Sequence, residues 1–226
     1  MPRDYLLRLI EQFGMIWRRV LRFKQLRRYD DGLDEVEKAY GQLFSLNSKF
    51  IDLLPDDGLL NLVQTYGELD ADKCAVLATL LAAEGDFHAG LHHTDEAYRR
   101  YERALLLYGA LVRAGRSLPS ETRQATADLL ATLEQYELEP PALDDIWRVY
   151  AALHQHARAE DALFSWLEAV EFERESLIQG VTWYETLLTL SDTDLKAGDL
   201  PRGEIAESHA QLQAILRHGE TEARRN

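Results

Sequence analysis

Apolar residues recur along this chain at steps of three and four, the spacing of amphipathic helices. Leu6, Leu9, Ile10, Phe13, Trp17, Val20 and Leu21 mark a first long helix over residues 3–28, with Arg18, Arg19, Arg22 and Lys24 mainly off its stripe. Tyr29-Asp30-Asp31-Gly32 ends it and opens a second helix that runs to about Ser45. Residues 46–70 interrupt the pattern. Asn47-Ser48 caps one short helix, and Pro55-Asp56-Asp57 starts another over Leu59–Gln64. Residues 71–114 read as two antiparallel helices, with Gly85-Asp86 as the stop and Thr94-Asp95-Glu96 as the next start. Ser117-Leu118-Pro119-Ser120-Glu121 opens a helix carrying Ala127, Leu129, Leu130 and Leu133 that ends before Pro140-Pro141. A further pair spans Asp144–Val170, its second helix continuing to about Ile178 with Gly180 closing it. A last pair spans Trp183–Ile215. The expectation is an all-α chain of about ten helices, with no alternating run long enough for a convincing strand. It is read as one domain over 1–226, with a subdomain joint near 140–141 at the Pro pair.

Small residues refine the pattern. Ala97 and Ala104 stand seven apart with Tyr101 between them, and Gly32, Val36 and Ala39 keep the same rhythm. Ala162, Trp166 and Ala169 repeat it, and Gly203 and Ala210 share the seven-residue interval. Alanine or glycine at such intervals lets helix backbones approach, and the large residue between fills the adjoining groove.

Leu77-Ala78, Gly85-Asp86-Phe87, Ala97, Tyr101 and Ala104 together resemble a tetratricopeptide repeat. Leu190-Ser191, Gly198-Asp199-Leu200, Gly203 and Ala210 give a further match, whereas Arg27 and Arg28 stand where the repeat has Gly-Asp. The resemblance covers about residues 10–45, 71–114, 144–170 and 183–215. It implies an α-α superhelix of irregular antiparallel pairs with an inner groove that binds a peptide or protein. One departure stands out: the family places its second-helix small residue five after the Gly, but Gly85 to Ala97 is twelve. That predicts a longer hairpin or a loop near His88–His93. Glu207 and Asp194, where the repeat prefers large apolar residues, predict a solvent-facing terminal pair. The basic first helix, YDDGLDEVEKAYGQLF, the Pro55 insert and ARAEDALF also resemble a bacterial family of helical, repeat-like proteins of unestablished function, which supports the fold and adds no mechanism.

Charge narrows the partner. The net charge is −14, yet residues 1–28 hold eight Lys/Arg against Asp4 and Glu11, or +6, leaving −20 for the remainder. An acidic body repels phosphates, which argues against nucleic acid as partner. Three readings compete for the basic helix: packing on the next helices, lying on a membrane surface, or docking a partner or second copy. Only one cysteine, Cys74, is present, so no disulfide can form within the chain; it sits on an apolar stripe and reads as core. No apolar stretch approaches the ~18 residues of a membrane span. Charges at Arg8, Glu11, Arg18 and Arg19 break up any secretory core, and the first serine, Ser45, is too late for a Ser-rich transit peptide. The reading is cytoplasmic and bacterial.

Candidate chemistry is sparse. On a continuous helix His88 and His92 would share a face, the spacing of a metal-binding pair, with Asp86, Asp95 and Glu96 nearby. The general-base glutamate that would follow the first histidine is missing. Phosphate-binding, dinucleotide and nucleophile-elbow motifs are absent from the sequence, as is CxxC, and no cofactor is expected. Acidic pairs such as Glu134/Glu137 read as solvated faces, and Trp147, Trp166 and Trp183 as fillers between helices. The favoured expectation is a non-enzymatic interaction module, with Tyr98, Arg99, Tyr101 and Arg103 as candidate groove residues. The alternatives are a homo-oligomeric structural protein, possible as a dimer through the first helix, and a metal- or small-molecule-binding protein centred on His88–Asp95.

Overall fold

The computed structural model describes residues 2–223, with side chains over 8–218. Among these residues lie twelve α-helices and one two-stranded ribbon, so the chain is all-α. It divides into two compact units, Met1–Tyr136 and Glu137–Asn226, and Pro140 and Pro141 form the first turn of a helix just past that division. Proline suits this position because its missing N–H would be unpaired there anyway.

The first unit begins with α1 (Pro2–Gln25) and α2 (Tyr29–Phe44). The buried stripe of α1 is Leu9, Phe13, Ile16 and Val20; Ile10 and Leu21 are exposed, and Leu6 lies outside the described side chains. Helix α3 (Ser48–Leu53) is capped by Asn47, whose side chain accepts from the Phe50 amide. Helix α4 (Asp56–Leu62) follows Pro55. The ribbon then pairs β1 (Gln64–Thr65) with β2 (Glu68–Leu69) around Tyr66 and Gly67, both at positive φ, as tight hairpin turns require. Two-residue strands are too short to show an alternating pattern, which is why none is expected from the spacing of apolar residues.

Two 20-residue helices form the centre of this unit: α5 (Ala71–Gly90) and α6 (Thr94–Arg113). Helix α5 packs against α6, α2, α1 and α7 (Arg123–Leu133), which accounts for its burial from Cys74 through Gly85. The expected stop at Gly85-Asp86 is wrong. The helix passes through both, and Gly85 is there because the Tyr101 ring occupies its missing side chain's place, 2.5 Å from where a Cβ would be. The helix ends at Gly90, and the departure from the repeat spacing resolves as a longer hairpin, with no long loop at 88–93.

The second unit holds α8 (Pro140–Ala152), α9 (His156–Ala169), α10 (Arg174–Leu188), α11 (Asp192–Ala197) and α12 (Arg202–Ala223). Its core is Trp147, Leu163, Trp166, Leu167, Leu177, Tyr184, Leu187, Leu195, Leu200, Ile205 and Leu212. The expected run of α9 to Ile178 fails. Glu171 and Phe172 both take positive φ and turn the chain after Ala169, while Gly180 lies inside α10 under Leu212.

One turn recurs through both units. After α1, α5, α8 and α11, a single residue takes left-handed backbone: Arg27, His92, His154 and Asp199. In each case its amide bonds three residues back and the next amide five back, as in His92 N to Ala89 O (3.0 Å) and His93 N to His88 O (2.9 Å). Five residues after that left-handed position come Gly32, Ala97 and Ala159, all buried; in α12 the same place is Glu204, exposed. The small residue of α9 is therefore Ala159. Ala162 is half-buried and Ala169 exposed, as are Gly203 and Ala210, so these do not mediate close backbone contact.

Candidate functional site

Three helices of the first unit present stripes at three- and four-residue steps to one groove. Trp17, Leu21 and Lys24 come from α1; Thr79, Ala82, Ala83 and Asp86 from α5; Glu121, Gln124, Ala125 and Asp128 from α7 and the turn before it. Leu129 and Tyr101 complete the lining of a cavity of about 140 Å³. Side chains three and four apart lie one above another on a helix, so each stripe faces a single direction for about two turns, or ~10 Å. The floor is small and apolar, with Ala82 and Ala83 nearly buried. Three carboxylates and one ammonium line the walls, leaving two negative charges.

The polar groups are organised. Lys24 Nζ donates to Asp86 at 2.7 Å, and the Tyr101 hydroxyl donates to the other Asp86 oxygen at 3.0 Å. Burial, and then the Asp86 carboxylate, hold the Tyr101 phenol above its ordinary value, so it remains a donor. At the rim, Glu121 accepts from Ser120 Oγ at 3.0 Å and Asp128 from Gln124 Nε2 at 2.9 Å, both neutral donors. Asp72, at the start of α5, is held above the usual carboxyl range by burial first and then by Asp70 and Glu121, a sign of local negative potential.

A second polar cluster braces α2, α3, α5 and α6. Glu84 accepts from Tyr40 Oη at 2.7 Å and Ser48 Oγ at 2.6 Å, and Arg100 Nε lies 2.9 Å from it. Arg100 also clasps Asp52 with both terminal nitrogens and donates to Ser48 Oγ at 2.7 Å. Burial pushes the Glu84 carboxyl up, but the His88 hydrogen bond, the Arg100 charge and the two hydroxyls outweigh it, and its pKa is lowered. With side chains 5% and 6% exposed, the Glu84–Arg100 pair has no access to a substrate; it fastens the insert to the central hairpin.

Of the four candidate groove residues, Tyr101 lines the cavity. Tyr98 packs at a tilt against Tyr136, centroids 5.0 Å apart, Arg99 is exposed beside Glu96, and Arg103 donates to the carbonyls of Ile51 (2.9 Å) and Leu54 (2.7 Å). Of the basic residues on α1, Lys24 lines the groove, Arg19 pairs with Glu35 at 2.5 Å, Arg18 donates to Gly14 O, and Arg22 is exposed. His88 and His92 do not share a helix face, because α5 ends between them and His92 sits at φ 63°. The ring beside His88 is that of His93, Nδ1 to Nδ1 3.5 Å. Among the described residues no group of three His, Cys, Asp or Glu could hold a metal. Cys74 is core: its thiol donates to Leu107 O at 3.2 Å, and burial pushes its pKa up.

Sequence reasoning missed Trp17, Leu21, Thr79, Ala82, Ala83 and the whole α7 stripe. One signal was present: Trp17, Leu21 and Lys24 continue a helical spacing that the buried Leu9–Phe13–Ile16–Val20 stripe does not use.

The helix hairpins and the groove define an all-α helical-repeat protein. The chain belongs to a family of unknown function, DUF6483, whose model matches residues 1–217. No curated protein and no solved structure matches it. Among the described residues no helix is long and apolar enough to cross a membrane.

Proposed function

We propose that the first unit is a non-enzymatic, tetratricopeptide-like module that binds a peptide or protein segment in the α1–α5–α7 groove. The three aligned stripes carry this reading. They form a surface lined by side chains whose helix backbones are already hydrogen-bonded, so recognition falls to the side chains. The order of packing supports it. Helix α5 touches the second helix of the preceding hairpin (α2), its own partner (α6), and the first helices on either side (α1 and α7), as in a stack of hairpins. Size supports it too. A cavity of about 140 Å³ is well below the ~300–1,000 Å³ of cofactor and substrate pockets. It is close to the ~150 Å³ that accepts a single benzene ring, so it suits one side chain of a partner.

The test is an array of synthetic decapeptides of varied composition probed with the intact protein and with Gln124→Trp, which blocks the groove from its exposed rim. Peptides that bind the wild type are expected to lose most of their affinity for Gln124→Trp while its melting temperature is unchanged. Equal binding by both proteins, or no binding peptide at all, removes this reading.

A further inference from the structure

We infer that the occupant of this groove is a cationic peptide segment, one lysine or arginine of which seats in the cavity between Trp17 and the carboxylates of Glu121 and Asp128. This rests on the groove reading above and adds the partner's chemistry. Shape and charge have to be met together. The cavity is apolar where the buried Ala82, Ala83 and Leu129 line it, and anionic at its rim, where Glu121 and Asp128 are exposed. A long side chain with an aliphatic stem and a charged tip matches that gradient, since such stems bury readily while the head stays at the surface. An aromatic residue would fill the cavity but add no donor for the rim carboxylates beyond Ser120 and Gln124. An acidic segment would meet two net negative charges.

The carboxylates have different duties. Asp86 is taken up by Lys24 and Tyr101, so it fixes the groove's wall. Glu121 and Asp128 each accept from a neutral donor, and a guanidinium or ammonium can replace that donor with a charge-assisted bond. Trp17, half-buried in the wall, offers the ring type that binds cations best. The chain's net charge of −14, basic first helix included, favours the approach of a basic partner before any contact forms.

The array peptides provide the experiment. In each binder, every lysine or arginine is replaced in turn, arginine by citrulline and lysine by norleucine, which keep the aliphatic stem and remove the charge. One replacement is expected to weaken binding by about tenfold or more, the scale of one charge-assisted contact with its cation–π partner. Glu121→Gln combined with Asp128→Asn in the protein is expected to give a similar loss. Asp161→Asn combined with Glu168→Gln, which removes two exposed carboxylates from the second unit, is expected to change affinity by less than about twofold. Binders that lose affinity for Gln124→Trp yet tolerate every neutral replacement would overturn the cationic assignment and leave the groove standing. Equal losses from the rim pair and the control pair would also overturn it, because bulk charge would then explain the affinity. Binders insensitive to Gln124→Trp would remove groove and assignment alike.

Discussion

The hairpins α5/α6 and α8/α9 open on the same turn and pack in different ways. Each has a left-handed histidine, His92 or His154, and a buried alanine five residues later, Ala97 or Ala159. Continuing along the second helix, the first hairpin places Tyr101 and Ala104, while the second places Leu163 and Trp166. Two small residues bracketing a ring let α5 and α6 lie close, with Tyr101 seated over Gly85. In the second hairpin a tryptophan takes the last position and joins a ring cluster, Trp147 to Trp166 at 6.1 Å and Trp147 to Trp183 at 5.9 Å. The lesson is that one turn geometry accommodates two kinds of filling, small residues around one ring or a cluster of rings, and the two hairpins differ at the residue twelve after the left-handed position. Buried carboxylates follow the same division. Glu84 in the first unit sits against Arg100, Tyr40 and Ser48; Glu160 in the second accepts from the Tyr184 phenol at 2.5 Å, and burial and that carboxylate hold the phenol above its ordinary value.

If the first unit depends on its buried ion cluster, Arg100→Ala should be the most damaging change. It leaves Glu84 buried without its cation, a loss of about 3–5 kcal/mol. Hydrogen exchange should accelerate across α5 and α6 while α8–α12 stay protected. Unchanged protection of α6 would show that the cluster does not support the unit. A smaller contrast tests close packing. Gly85→Ala drives a methyl into the Tyr101 ring and within 3.1 Å of the Ala97 carbonyl, and should cost about 1–3 kcal/mol despite alanine's better helix propensity. Gly180→Ala meets one terminal methyl of Leu212, at 2.9 Å, and otherwise only Leu163 at ordinary contact distance, and should be near neutral. Equal melting temperatures for the two variants would contradict the reading that Gly85 makes room for the Tyr101 ring.

The mildest effect is on pH. His156 is 3% exposed, its Nδ1 has no hydrogen-bond partner, and its ring lies against the Gly198 backbone. Burial first, then His154, lower its pKa below the ordinary 6.5, while Asp194 opposes them. A group with a lowered folded pKa binds its proton in the unfolded chain first, so stability rises with pH in that window. The second unit should therefore lose stability as pH falls below about 6.5, and His156→Gln should flatten that decline. Glu84, also lowered, is a carboxyl with an ordinary value of 4.5, so its contribution to the first unit is lost only below that pH. Thermal melts followed by tryptophan fluorescence in a Trp17→Phe background, which leaves Trp147, Trp166 and Trp183, read the second unit alone. No descent between pH 6.5 and 5 would contradict the assignment to His156.

Much of this was legible in the chain. The Asn47 cap, the Pro55 start, the buried Cys74 and the pairing of helices follow from local spacing and local capping chemistry. Helix ends were less legible. Gly85-Asp86 looks like a stop, yet nothing local tells a terminating glycine from one that makes room for a ring arriving from another helix. The same ambiguity misplaced the end of α9 at Gly180. The groove is harder still, because its lining is split among α1, α5 and α7, and α6, which carries all four candidate residues, supplies only Tyr101 to it.

The sequence by itself determined that this is a helical protein of paired rods with an acidic body and a basic first helix, because helical period, capping and charge are properties of neighbouring residues. Only the tertiary structure decided which glycines end helices, which alanines touch a backbone, and which stripes meet across a groove. Those depend on what another segment brings into contact, and the spacing within one segment carries no record of it.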